Sequence, residues 1–268
     1  MSKQKSKKIL NINARDFPTI LGINPYQSGY QLLESKVEGK YPFFGNKFTE
    51  HGNKYEKLAI KTFEKIIDTD IDIYQSNRKH NEYNWITGRF DGITETKVKN
   101  KKRKREDVPE ENIEEENNER KKKKRKKNGI EENYENEKIC EKKKKRKRVE
   151  EKLEENKIVE IKCPLKKDRQ EPLTLDNIPK YYWAQCQVYM QMANLKNAFY
   201  VEYYIEPDAH QDSGKLYYLN ISRDDEWWKN SLPKIKKFYE EMKKYCQLGS
   251  LDTHPIRMCE NDWKKQYI

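Results

Sequence analysis

The spacing of apolar and polar positions divides the chain into elements before any residue is given a chemical role. Residues 28–38 predict a helix closed by Gly39, and residues 49–68 a longer amphipathic helix with Tyr55, Ala59, Thr62, Phe63 and Ile66 on one stripe. Runs rich in β-branched and aromatic residues at 71–75, 85–95 and 158–162 predict a central sheet, covered by a helix over 179–194. Two further strands are expected at 198–205 and 216–221, joined through 207–214. Ser222 with Asp225 predicts a capping box for a last helix reaching about Leu248. Along that helix Trp227, Trp228, Ile235, Phe238, Tyr239 and Met242 share one side, so core packing outweighs base stacking as the expectation for the two tryptophans. The expected class is α/β (α+β), a central mixed β-sheet flanked by helices.

One stretch lacks any such pattern. Residues 97–157 carry three basic runs, at 101–105, 120–127 and 142–148, separated by acidic stretches such as Glu114-Glu115-Glu116 and Glu131-Glu132, with almost nothing apolar. A chain of that composition cannot bury enough surface to offset its ordering entropy. It is expected to be a disordered or fraying helical insertion in the hairpin between strands 85–95 and 158–162, where added loop length costs little. The domain plan is then one domain over residues 1–268, interrupted once. The insertion has 25 Lys and Arg against 17 Asp and Glu, so it holds +8 of the net +12 and leaves +4 for the rest. A basic balance suits a polyphosphate partner, yet most of it lies outside the patterned chain. Each basic run fits nuclear import or a nucleic-acid tether as well as a solvated linker.

The candidate chemistry sits on either side of that insertion. In Ile158-Val159-Glu160-Ile161-Lys162-Cys163, strand alternation sends Val159, Ile161 and Cys163 to one face and Glu160 and Lys162 to the other. Alone, such a pair reads as an ordinary ion pair on a solvent-exposed strand. Asp91 of Gly88-Arg89-Phe90-Asp91-Gly92 offers a third group that could complete the donor set of a phosphodiesterase site, although across the long insertion its spacing alone does not select that reading. Asp91, Glu160 and the backbone carbonyl of Ile161 suit a hard cation such as Mg2+, or Mn2+ in its place, with positions left for water and phosphate. Lys162 would orient the attacking water, help deprotonate it, or offset charge in the transition state.

Other stretches extend the picture in a fixed order: Asp16-Phe17-Pro18-Thr19-Ile20-Leu21-Gly22-Ile23-Asn24-Pro25-Tyr26, Gly52-Asn53-Lys54-Tyr55-Glu56-Lys57-Leu58-Ala59, Asp91-Gly92-Ile93, Glu160-Ile161-Lys162-Cys163-Pro164 and Tyr182-Trp183-Ala184-Gln185-Cys186-Gln187. Through them the chain resembles the PD-(D/E)XK nucleases, and within these the lambda-exonuclease-like, YqaJ-type viral recombinase family, from about Leu10 to Tyr245. The resemblance implies a restriction-endonuclease-like core, with Asp91 and Glu160 as metal ligands, Lys162 as the catalytic lysine, Glu56 as a further acidic site residue and Gln185 as a site-lining polar residue. From pattern alone Glu56 lies on the border of its helix's apolar stripe, as a solvated glutamate also would. Gln185 reads equally as a structural amide. Phe90 stands where the family has proline. Asn13-Ala14-Arg15-Asp16 replaces the family's Gly-Gly-Ser-Asp, and Lys8 stands where relatives carry an arginine proposed to hold the DNA 5'-phosphate. Lys8 and Arg15 are the candidates for that role. Lys166, Lys167 and Arg169, just after the second catalytic strand, are candidates for other phosphates, with an ordinary basic loop as the equal alternative.

The resemblance further implies a Mg2+-dependent double-strand DNA exonuclease, acting 5' to 3' on duplex ends in viral DNA recombination, repair or replication. A single-strand annealing protein and a homo-oligomer, a trimer in the family, are the implied partners. A structure-specific endonuclease and a nucleic-acid-binding scaffold with a decayed site are the competing readings. Cys140, Cys163, Cys186, Cys246 and Cys259 form no C-x-x-C pair, which argues against a zinc site or an iron–sulfur cluster. With no signal peptide and no long apolar run, the expectation is a soluble intracellular protein with reduced thiols and no membrane contact. Its place would be the nucleus or a cytoplasmic viral replication site of an infected cell.

Overall fold

Three of the four long helices among the described residues start where a side chain caps them. The computed structural model describes residues 10–42, 44–73, 77–95, 155–166, 172–206 and 213–258. All of them belong to one unit, Met1–Glu95 with Glu155–Ile268; Thr96–Glu154 forms a separate unit, and the insertion expected at 97–157 lies there, outside the described residues except at its last three positions. After strand β1 (Ile12–Asn13) come α1 (Phe17–Ile20), α2 (Gly29–Glu38) and α3 (Lys47–Ile67). Ser28 and Gln31 form a reciprocal capping box at the start of α2, and Gly39, at φ 72°, takes the left-handed turn that ends it. Asn46 caps α3, whose buried stripe is His51, Tyr55, Ala59, Ile60 and Phe63.

Strands β2 (Ile71–Ile73), β3 (Arg78–Lys79), β4 (Ile86–Gly88), β5 (Gly92–Thr94) and β6 (Ile158–Lys162) follow, then α4 (Lys180–Ala193), β7 (Asn197–Tyr204), β8 (Lys215–Ser222) and α5 (Asp225–Leu248). The main sheet runs β2-β5-β6-β7-β8, and a smaller one runs β1-β4-β3. Only β6 and β7 are parallel neighbours in the main sheet, and α4 is the crossover between them. β5 and β6 pair antiparallel, and Thr94 and Lys157 are joined by two hydrogen bonds of 2.9 Å, so the two sides of the hairpin close at the ends of the insertion.

Two expectations are corrected. The strand expected over 85–95 is two strands in two different sheets, broken at Arg89-Phe90-Asp91. Phe90 is fully buried against the Tyr189 ring there, and the Arg89 carbonyl turns away to accept a hydrogen bond from the Tyr189 hydroxyl. The capping box of Ser222 and Asp225 does not form. Ser222 is still extended and paired with Asn197 in the sheet, so Asp224 is the first residue free to cap, accepting from the Trp227 N–H at 2.8 Å.

The alternation predicted for β6 is present. Ile158 faces a core built with Ala198, Tyr200, Val188, Tyr189 and the α5 residues Ile235, Phe238 and Met242. Val159 and Ile161 face the opposite core with Val201, Tyr203, Tyr55, Ala59 and Phe63. Both faces of β6 and β7 are thus covered, α4 on one side and α3 on the other. Trp228 stacks on Phe17 at 5.8 Å and Trp227 meets Trp183 edge-on at 5.3 Å, which is the core packing expected of them. No helix among the described residues is long and apolar enough to cross a membrane.

Candidate active site

The break between β4 and β5 sets the site. It leaves Asp91 just ahead of β5, where the Gly92–Val159 pairing brings it alongside Glu160, and the Asp91 Oδ2 accepts the Ile161 N–H at 2.7 Å across 70 residues of sequence. This bond fixes the carboxylate on the β6 backbone. Gly92 lets β5 lie close against β2, because a Cβ there would come within 2.3 Å of the Ile71 side chain. Behind the break, Gln185 Nε2 donates to the Tyr189 hydroxyl at 2.8 Å, and that hydroxyl donates to the Arg89 carbonyl at 2.8 Å. Gln185 therefore reaches the site through Tyr189, holding the backbone two residues before Asp91.

Glu160 is only 1 % exposed. One carboxylate oxygen is hydrogen-bonded to Lys162; the other, Oε2, is buried with no hydrogen-bond partner. Burial, and then the nearby Asp91 charge, push its carboxyl up to about 7. Lys162 is held strongly protonated: burial works against its charge, but Glu160 and Asp91 outweigh it. Its ammonium also sits 4.9 Å over the Tyr182 ring.

Glu56 joins from α3, on the other face of the sheet. It is half-buried, and burial followed by the Asp91 charge raises its carboxyl, while Arg89, Lys162 and Arg15 act in the opposite direction. Cys163, past the end of β6, has its thiol pushed up to about 12 by burial and then by Glu56 and Asp91, so it stays neutral. Asp91, Glu160 and Lys162 thus lie where β5 begins and β6 ends, with Glu56 within electrostatic reach of Asp91 and Lys162. Arg15 is exposed and its charge is felt at both Glu56 and Glu160. Lys166 is exposed in the loop after β6, while Lys8, Lys167 and Arg169 lie outside the described residues.

No three His, Cys, Asp or Glu side chains among the described residues converge as a ready-made cation cage. The donors on offer are Asp91, the unpartnered Glu160 oxygen and backbone carbonyls such as that of Ile161. That set fits a hard cation which keeps much of its water, as Mg2+ does. The orphaned Oε2 is the specific observation behind the fit, since a buried acceptor without a donor is costly unless something positive meets it.

Pattern reading gave no role to Tyr182, Tyr189 or Arg89. Tyr189 stands four residues after Gln185, a spacing that puts both on one helix face and was the available signal. Arg89 is two residues before Asp91, but its neighbour's burial and its own carbonyl's partner are set by α4, which no local pattern shows.

The mixed sheet and its flanking helices are a fold shared with solved exonucleases. An alkaline exonuclease from Laribacter hongkongensis shares it at TM-score 0.56 and 13% identity, over 90% of this chain and 91% of that one. Its complex with dAMP aligns at TM-score 0.56 over 93% and 95% of the two chains, again at 13% identity. A phage related exonuclease from Haemophilus somnus 129PT aligns at TM-score 0.50 and 17% identity, over 89% and 95%. The chain belongs to the YqaJ-like viral recombinase domain family, whose model matches residues 5–196. No curated protein matches it.

Proposed function

We propose that the chain is a metal-dependent DNA exonuclease of the PD-(D/E)XK type, resecting duplex ends 5' to 3' in viral DNA recombination, repair or replication. The observation that carries this reading is Glu160: a buried carboxylate with one oxygen on Lys162 and the other unpartnered, beside an Asp91 pinned to the same strand. A core strand gains nothing from such a group unless a cation and a substrate complete it. The family, and the exonucleases that share the fold, support the polynucleotide substrate.

Asp91, Glu160 and the Ile161 carbonyl would hold Mg2+, or Mn2+ in its place. A bound divalent ion supplies electrophilic activation of the phosphate and a more acidic water. Lys162 stays protonated between its two carboxylates and donates to the non-bridging phosphate oxygens as charge grows there. Glu56 orients water from the α3 side. Arg15, exposed and within electrostatic reach of Glu56 and Glu160, would meet a terminal phosphate, with Lys8 as the other candidate. A homo-oligomer, an annealing protein and a viral replication site belong to the same proposal, as does the reading of 97–157 as an insertion in a single domain.

The test is digestion of linear duplex with 5'-phosphate ends beside 5'-hydroxyl and covalently closed circular duplexes, with Mg2+ titrated. Loss of linear DNA alone, slower without the phosphate and slower again in Arg15→Ala, is expected. Cutting of closed circles would replace the exonuclease by an endonuclease, and binding without cleavage at any Mg2+ concentration would replace both by a scaffold.

A further inference from the structure

A line of tyrosines runs from the surface to Lys162. Tyr26 meets Tyr181 edge-on at 6.0 Å, Tyr181 lies 4.4 Å from Tyr182, and the Lys162 ammonium sits 4.9 Å over the Tyr182 ring. Tyr181 and Tyr182 are only partly buried, and Tyr26 is 80 % exposed.

The outermost ring is not exposed by accident of a loose loop. Ile23 and Asn24 both donate backbone N–H groups to the Pro18 carbonyl, at 2.9 and 3.2 Å. The Asn24 side chain donates to Thr19 Oγ1 at 2.8 Å and accepts the Tyr26 N–H at 3.0 Å. Gly22, at φ 73°, makes the turn that allows this. A well-bonded loop that holds a large ring in water has given up burial and kept orientation, which is the arrangement of a preformed contact surface.

The charge around the line says what would stack on it. Lys162 is at its inner end, exposed Lys180 adjoins Tyr181, and exposed Arg15 lies within electrostatic reach of Glu160. Planar apolar faces interleaved with cations match a polyanion that carries planar bases. We propose that Tyr26, Tyr181 and Tyr182 form a stacking track for the unpaired nucleobases of the DNA strand at the catalytic lysine. The inference rests on the nuclease reading and assigns it a binding surface for single-stranded DNA, one that tolerates any base because each has a stackable face.

The test uses the full chain and a duplex with a short single-stranded end carrying 2-aminopurine, with Ca2+ in place of Mg2+ so that the strand is held rather than cut. Wild type and Tyr26→Phe should quench the probe. Tyr26→Ala should lose the quenching and bind about tenfold more weakly, while Leu248→Ala, another exposed apolar residue, should match wild type. Equal quenching and affinity in Tyr26→Ala, with wild type still digesting linear duplex in Mg2+, would overturn the track and leave the nuclease standing. A wild type that neither digests linear duplex nor quenches the probe would overturn both.

Discussion

Asp91 has two tasks that substitution can separate. Its carboxylate accepts the Ile161 N–H at 2.7 Å, and its charge completes the candidate cation site. Asparagine retains an acceptor of the same shape, so Asp91→Asn should fold with little change in melting temperature yet lose at least about 10²-fold in cleavage rate. Asp91→Ala should lose activity and also about 1–3 kcal/mol of stability, because the Ile161 N–H is left without its acceptor. Thermal melts and rates measured on the two variants together check the division. Glu160 gives the converse case. It is a buried acid with one oxygen unpartnered and the other on the Lys162 ammonium, so Glu160→Gln should abolish cleavage and lower the melting temperature of metal-free protein, because buried Lys162 loses its hydrogen-bonded counter-charge. A raised melting temperature would show that the cost of burying the carboxylate outweighs that ion pair.

At the scale of elements, the site depends on a strand that stops and restarts. Gly88, Phe90, Gln185 and Tyr189 manage this between them: a Cβ on Gly88 would lie 2.8 Å from the Tyr189 ring. Tyr189→Phe should therefore remove about 1–3 kcal/mol, since it strips partners from the buried Gln185 amide and the Arg89 carbonyl. It should also lower kcat more than it raises KM, because Asp91 follows two residues on; a change in KM alone would contradict a positioning role. This break also marks what the sequence could tell. The alternation that puts Glu160 and Lys162 on one face is a two-residue period and was legible without any other information. The end of α2 at Gly39 and the Tyr55, Ala59 and Phe63 part of the α3 stripe were legible for the same local reason, whereas Ile66, expected on that stripe, is exposed and Ile60 is buried in its place. The break at Arg89-Phe90-Asp91 was not, because residues 85–95 keep a strand-like composition throughout and only contact with Tyr189, about a hundred positions later, turns the backbone. The start of α5 was misplaced because β8 pairing extends through Ser222, a decision made by the partner strand. Glu56 was placed on the right helix, but its reach to Asp91 comes from packing across the sheet.

The whole molecule closes through an ion cluster far along the chain from the site. Arg257 binds Glu34 at 2.8 Å and Glu38 through both guanidinium nitrogens, tying the turn at 255–258 to α2. The Leu251 N–H adds a further bond to Glu38, and the Arg257 guanidinium holds the Glu38 carboxyl down at about 2. A carboxyl lowered on folding contributes stability that is complete above its ordinary value of 4.5 and disappears as pH falls to about 2. Arg257→Gln should thus cost about 1.5–3 kcal/mol at pH 7, and the deficit should shrink steadily on acidification from 4.5 to 2; a pH-independent deficit would assign the loss to packing. The hairpin makes a prediction at the same scale. Because Thr94 and Lys157 are already hydrogen-bonded to each other, replacing residues 97–154 by a short turn should raise stability by about 2 kcal/mol, the closure entropy of the longer connection, and leave cleavage of linear duplex intact. The proposed cutting of phosphodiesters by Asp91, Glu160 and Lys162 with a divalent ion is tested most directly by nucleotide release from linear duplex as Mg2+ is titrated, for wild type, Asp91→Asn and Lys162→Gln. Release that requires Mg2+ in wild type and vanishes in both folded variants is the predicted result; release that persists in either variant, or without divalent metal, would contradict it.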